Sequence, residues 1–192
     1  MNDGLFILQI LYLIAPVVLA GVAHVIVLKL NILPQLKIPL DAGKHIGSAR
    51  LFGDNKTWRG IIIMAVGSAV VMALQSYLYK TSTLAQEFSF FDYSAINPWI
   101  SGAIFGLGYS LGELPNSFAK RQLGIAPGQR SKGTPNSKIW YFIDQSDSVI
   151  GSLITMRYFF PASFAISLAC FAIGLLLHIG IDQMLYLIKV KS

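Results

Sequence analysis

The sequence predicts an all-α integral membrane protein, with about five transmembrane helices and two long cytoplasmic loops. Three observations predict it. Of 192 residues, 54% are hydrophobic and 12% charged, where a soluble domain carries about 25% charged residues. The apolar residues fall in runs long enough to cross a bilayer, which takes about 20 helical residues. The basic residues collect in two segments between those runs.

The first span is expected over residues 5–30, with Pro16 near its middle. A proline there frees a carbonyl that neighbouring helices must cover. No basic residue precedes this run, and it is too long for a secretory signal, so it reads as an uncleaved first span. Further spans are expected over 60–79, 98–114, 139–160 and 161–188, the last opening at Pro161, a good first-turn residue. The fourth is the least apolar, because it carries Asp144, Gln145 and Asp147. Charges within a span are costly and face a cavity or a partner. The whole of 1–192 reads as one membrane domain, with cytoplasmic loops at 31–59 and 115–138.

The loops give the orientation. Lys37, Lys44, Arg50, Lys56 and Arg59 lie in the first, and Lys120, Arg121, Arg130, Lys132 and Lys138 in the second. Lys29, Lys189 and Lys191 join them on one side, leaving Lys80 and Arg157 opposite. The positive-inside rule then puts both loops and the C-terminus in the cytoplasm and the N-terminus outside a cell membrane crossed several times.

Small residues four apart, Gly102 with Gly106 and Gly108 with Gly112, predict close helix packing. In the last span Ser163, Ser167, Cys170, Gly174, His178 and Asp182 mark a face turned toward the bundle, with His178 and Asp182 one turn apart. A single cysteine excludes a disulfide framework and a cysteine zinc site.

Three constellations carry the polar chemistry. The first is Gly53-Asp54-Asn55-Lys56-Thr57-Trp58-Arg59-Gly60, preceded by Asp41 and Lys44. It delivers Lys56 and Arg59 to a helix start, where free N–H groups and the helix dipole already favour anions. An ordinary basic loop held at the headgroups by Trp58 fits the same residues. The second is Gly112-Glu113-Leu114-Pro115-Asn116-Ser117-Phe118-Ala119-Lys120-Arg121, continuing to Pro127-Gly128. Glu113 at membrane depth needs a cation, from Lys, Arg or a metal, and Arg121 offers a fork suited to phosphate.

The third is Asp144-Gln145-Ser146-Asp147-Ser148, followed by Gly151. Positions 144, 147, 148 and 151 share one helix face. Two aspartates side by side repel each other, and a divalent metal relieves this. Magnesium takes one or two carboxylates and completes its shell with water and phosphates. Neutralisation by loop lysines is the alternative.

The chain has no Gly-x-Ser-x-Gly elbow, no His-Glu-x-x-His and no Walker loop, and His24, His45 and His178 are scattered. Oxygen-ligand metal chemistry on phosphates remains.

Together, Asp41 with Lys44, the segments 53–60 and 112–125, Pro127-Gly128 and 144–148 closely resemble the CDP-archaeol synthase family, relatives of the phosphatidate cytidylyltransferases. The resemblance runs in order along nearly the whole chain. It implies transfer of a cytidylyl group from CTP to a lipid phosphate, with magnesium and release of pyrophosphate. It also implies Lys56, Lys120, Asp144 and Asp147 as catalytic residues, the two aspartates holding the metal. Asp41, Lys44, Asp54, Thr57, Arg59, Glu113, Asn116, Ser117, Arg121, Gly128 and Ser148 are the expected substrate-binding residues.

In this reading Lys56 and Arg59 grip one phosphate group, and Lys120 and Arg121 another. The implied partners are CTP, a lipid phosphate and membrane lipid, with no nucleic acid, and a homo-oligomer is left open. At 20–29 the chain reads Ala-Gly-Val-Ala-His-Val-Ile-Val-Leu-Lys, where the archaeal enzymes carry a Pro- and Asn-containing motif, so the lipid class stays open. Two other classes also stay open: a different nucleotidyl or phosphoryl transferase acting on a lipid, and a non-catalytic membrane component or anion transporter.

Overall fold

The computed structural model describes residues 3–127 and 137–187. Among these, six helices form the molecule: α1 (Asp3–Lys29), α2 (Trp58–Thr81), the short α3 (Thr83–Glu87), α4 (Pro98–Gln122), α5 (Ser137–Phe159) and α6 (Phe164–Leu187). A two-stranded antiparallel hairpin, β1 (His45–Ile46) and β2 (Ala49–Arg50), decorates the segment between α1 and α2. Three helices are long and apolar enough to cross a membrane, over Asp3–Lys29, Trp58–Thr81 and Phe164–Met184.

Local chemistry explains the helix ends. Asp3 and Lys29 complement the dipole of α1 at its two termini. Thr57 caps α2 by accepting from Gly60 N–H, and Asn97 caps α4 by accepting from Trp99 and Ile100 N–H, with Pro98 as the first helical residue. α6 starts later than expected. Residues 161–163 are not helical, and the Ser163 hydroxyl accepts from Ile166 N–H at 3.3 Å, so the start falls after the serine rather than at Pro161.

Pro16 lies inside α1 and is buried. Its ring removes the N–H that would have bonded the carbonyl of Tyr12, one turn back. The Gln75 side chain of α2 donates to that carbonyl at 2.5 Å, and Ser68 Oγ donates to the Pro16 carbonyl at 3.3 Å. The neighbouring helix therefore covers the freed acceptor.

α4 is the centre of the bundle, and its glycines put it there. An added Cβ on Gly102 would stand 2.6 Å from Ala69 Cα, and one on Gly106 would strike the Met64 carbonyl, so both face α2. Gly108 and Gly112 face α5 at Gly151, Thr155 and Asp147. With almost no side chain between backbones, three helices pack at van der Waals distance. α4 also runs two turns past Leu114, through Pro115 to Gln122. The stretch expected to open the second loop is thus helical, which sets Asn116, Ser117, Lys120 and Arg121 on a rigid element.

The end of the bundle near the start of α4 is closed by aromatic rings. Tyr93 is 1% exposed, packed edge-on against Tyr12 and tilted against Phe160, while Phe91 stacks on Phe160 at 4.8 Å between centroids. Of these three apolar helices α6 is the least enclosed: 6% of its apolar window is buried inside the protein, against 33% for α1 and for α2.

Candidate active site

Along α4, Phe105, Tyr109, Glu113, Asn116, Lys120 and Arg121 line one cavity of about 790 Å³. Their steps of three or four residues form one helix face, apolar at Phe105 and charged at Lys120. α5 contributes Asp144, Gln145 and Asp147, then Val149 and Leu153 on the apolar side. α1 adds Ile14, Val17 and His24, and α6 adds Cys170, Gly174 and His178. The cavity is therefore charged at one end and apolar at the other.

At the charged end, Asn116 is the keystone. Its Nδ2 donates to Asp144 Oδ1 and to Asp147 Oδ2, both at 2.7 Å. Lys120 Nζ sits 2.5 Å from both carboxylate oxygens of Asp144. Lys56 donates to Glu113 Oε2. Arg121 lines the same end, is 8% exposed and donates to the Ile125 carbonyl. Buried like charges repel strongly, and here a shared amide and two lysines hold three carboxylates together.

Lys56 reaches the cavity because the preceding loop is tightly knit. Leu40 N–H donates to the Lys56 carbonyl and Trp58 N–H to the Ile38 carbonyl, at 2.8 and 3.0 Å. The buried Asp41 carboxylate accepts from the backbone N–H of Gly43, Phe52 and Gly53 and from Arg50, which also pairs with Asp54. Burial alone would raise the Asp41 carboxyl, but the Arg50 hydrogen bond and the three backbone N–H groups outweigh it and hold the group well below its ordinary range. Gly53 adopts φ +93°, and an added Cβ would stand 2.7 Å from Pro127 Cγ, so the two motif-bearing loops touch there.

The structure thus sorts the expected residues. Lys56, Glu113, Asn116, Ser117, Lys120, Arg121, Asp144 and Asp147 all line the cavity. Five others do not. Asp41 and Asp54 organise the loop through Arg50, the Lys44 side chain is exposed, and Thr57 caps α2. Arg59 turns the other way: 4% exposed, it donates to Asn31 Oδ1 and the Ile32 carbonyl at 3.1 and 3.2 Å, pinning the end of α1. A cation there meets the negative end of the α1 dipole, so the expected Lys56–Arg59 phosphate grip is not formed. Ser148 is fully buried, beside Tyr109. Gly128 lies outside the described residues.

Several lining residues were not among the expected site residues, chief among them His24, Tyr109 and, within the third constellation, Gln145. Tyr109 was legible as the residue one turn before Glu113 on the same face. His178 was noted beside Asp182, and the structure pairs its Nε2 with Tyr109 Oη at 2.9 Å.

No group of three or more His, Cys, Asp or Glu side chains able to hold a metal occurs among the described residues. The donor set nevertheless fits a hard cation. Two carboxylates are held side by side, and the buried Asn116 Oδ1 next to them has no hydrogen-bond partner. Magnesium needs no fuller protein cage, since it keeps waters and substrate phosphates.

Fold and site together define a helical membrane protein with an oxygen-rich, lysine-balanced site at the charged end of an amphipathic cavity. The family model of the CarS-like CDP-archaeol synthases matches residues 4–192. A CDP-archaeol synthase of Saccharolobus islandicus (strain L.S.2.15 / Lassen #1) is 30% identical over 162 residues, covering 80% of each chain. One from Halobacterium salinarum is 33% identical over 124 residues, covering 65% of this chain and 61% of the relative. One from Methanoculleus marisnigri is 29% identical over 127 residues, covering 64% and 65%. No solved structure matches the chain.

The chain belongs to the CDP-archaeol synthase family. It is an enzyme, a CTP-dependent cytidylyltransferase of lipid biosynthesis, which sets aside the transporter and scaffold alternatives.

Proposed function

We propose that the chain joins CTP to a membrane lipid phosphate in this cavity, with the phosphates at the charged end and the lipid chains along the apolar walls. The observation that carries the reading is the Asn116 amide bridging Asp144 and Asp147, with Lys120 on Asp144, at the polar end of a cavity that continues as Phe105, Val149 and Leu153.

A lipid phosphate is already ionised at neutral pH, so no residue must take a proton from it. Its oxygen bonds to the α-phosphorus of CTP, the bond from that phosphorus to the bridging oxygen breaks, and pyrophosphate leaves with the electron pair. The difficulty is bringing two anions together, which is solved by positioning and charge neutralisation. Asp144, Asp147 and Asn116 Oδ1 would hold magnesium, which when bound supplies positive charge beside the nucleotide phosphates. Lys120 and Lys56 are balanced by Asp144 and Glu113 and offer their ammonium groups to incoming phosphates. Arg121 adds a planar donor at the same end. Asp41, Arg50 and Asp54 act at one remove, by holding the loop that presents Lys56.

The same reading places five helices across the membrane, α4 and α5 being spans whose hydropathy is lowered by the polar stripe they carry. The basic loops and the site then face the cytoplasm and the N-terminus the outside.

Transfer of label from α-labelled CTP into lipid tests the reading, with purified protein, magnesium and a panel of lipid phosphates beside Asp147→Asn. A labelled CDP-lipid lost in the variant supports it. Equal labelling by the variant removes Asp147 from its role, and no product from any acceptor overturns the lipid-phosphate assignment.

A further inference from the structure

The segment between α1 and α2 keeps large apolar side chains on its outside. Both helices are long and apolar enough to cross a membrane, so the chain joining them leaves and re-enters at one membrane face. Just past Lys29 it turns through Asn31 and Leu33, at φ 49° and 53°. Arg59 of α2 holds this turn through Asn31 Oδ1 and the Ile32 carbonyl. A left-handed backbone is unfavourable for a residue as bulky as leucine. The strain is not repaid by burial: Leu33 is 43% exposed, and Leu30, Ile32 and Ile38 are exposed as well. Trp58, the first residue of α2, donates its backbone N–H to the Ile38 carbonyl and is half exposed. Lys29 and Lys37 flank this patch, both exposed, and residues 29–40 include no aspartate or glutamate.

We propose that this patch is a foot that docks on anionic lipid headgroups at the membrane face beside it, and that docking steadies Lys56 for the site. Tryptophan and apolar side chains settle at headgroup level, and a lysine there is drawn to negative lipid. With no carboxylate on the segment to offset Lys29 and Lys37, the foot selects anionic over zwitterionic lipid. Its position at the ends of two spans sets it level with headgroups. The foot is joined to the site through backbone. Pro39 and Thr57 pair as an isolated antiparallel bridge. On either side of it, Leu40 N–H donates to the Lys56 carbonyl and Trp58 N–H to the Ile38 carbonyl. Lys56 therefore rides on the stretch whose partner strand leads out of the foot. The effect on turnover rests on the reading of Lys56 as a phosphate-binding residue; the docking itself does not.

The test uses the full chain in nanodiscs, with Trp99→Phe and Trp140→Phe leaving Trp58 as the fluorescent reporter. The discs hold phosphatidylglycerol and phosphatidylcholine in equal amounts, with brominated chains on one lipid or the other. Bromine on the anionic lipid should quench Trp58 more than bromine on the zwitterionic one. Lys37→Gln should lower that preference about fivefold, the effect expected of one lysine at an anionic surface. Leu33→Asn suits the left-handed backbone but removes the apolar contact, so it should lower quenching by both lipids without lowering the unfolding temperature in micelles. Turnover at saturating CTP should be several-fold higher in these discs than in pure phosphatidylcholine, and Lys37→Gln should remove most of the difference. Equal quenching by the two lipids overturns the docking, and no quenching by either overturns it in favour of a protein partner. Preferential quenching with equal turnover in both kinds of disc overturns the link to Lys56. Preferential quenching with no CDP-lipid from any acceptor sinks the transfer reading instead, and leaves the foot standing.

Discussion

The α-carbon of Gly112 lies so close to α5 that a Cβ added there would stand 2.6 Å from the carbonyl oxygen of Asp147. This contact sets the register between the two helices that carry the acidic residues, because Glu113 and Asn116 follow on the same segment. Gly112→Ala must push α5 outward at Asp147. It should cost about 1–3 kcal/mol, the usual range for overpacking, and lower turnover about a hundredfold through misplacement of the carboxylates. Gly180→Ala, where an added Cβ meets nothing within 4 Å and which does not line the cavity, is the control that should lower neither. Thermal unfolding in micelles and CTP turnover check both.

Asn116 holds Asp144 and Asp147 with one amide nitrogen group. Asn116→Ala removes that bridge and leaves two carboxylates to repel each other. The magnesium needed for half-maximal turnover should rise about 10–100-fold, the usual cost of losing an orienting partner in a metal site. A magnesium titration reads it directly; an unchanged requirement would take Asn116 out of the site.

Arg59 supports α1 rather than the cavity. Arg59→Ala should lose about 1–3 kcal/mol, the cost of stranding buried partners, while the surviving folded protein keeps its KM for CTP. A KM that rises tenfold with stability intact would return Arg59 to the substrate.

Asp41 is held in its charged form by Arg50 and the N–H groups of Gly43, Phe52 and Gly53. Its folded value lies below the ordinary 3.8. Its contribution to loop stability is therefore fully present above the ordinary carboxylate value and fades as pH falls below it. Limited proteolysis of the 41–57 loop should show protection at neutral pH that is lost in strong acid. Asp41→Asn should be cleaved readily at both, with no acid dependence left.

Much of this was readable from the residues because the relevant physics is local. The small-residue steps of α4 and the shared face of Asp144 and Asp147 follow from helical period alone. Pro16 announced a freed carbonyl, though nothing local could name Gln75 as its cover, 63 residues away. The misplaced residues failed for the same reason. Arg59 looks like an anion binder from its place at a helix start, and only the arrival of Asn31 and Ile32 from the end of α1 turns it aside. Asp41 looks like a ligand by its company with Lys44, but its oxygens are claimed by backbone up to 12 residues on. Hydropathy put the end of the third span at Leu114, because it cannot see a polar helix continuing to Gln122.

α6 forms one wall of the cavity, yet 6% of its apolar window is buried within the protein. The grip on this wall is therefore exerted largely by whatever surrounds the molecule, and the width of the chamber becomes a property of the surrounding fluid as much as of the fold. Thickness and lateral pressure of the host bilayer act on the same helix that carries His178. Through it, the enzyme is placed to feel the membrane it helps to build.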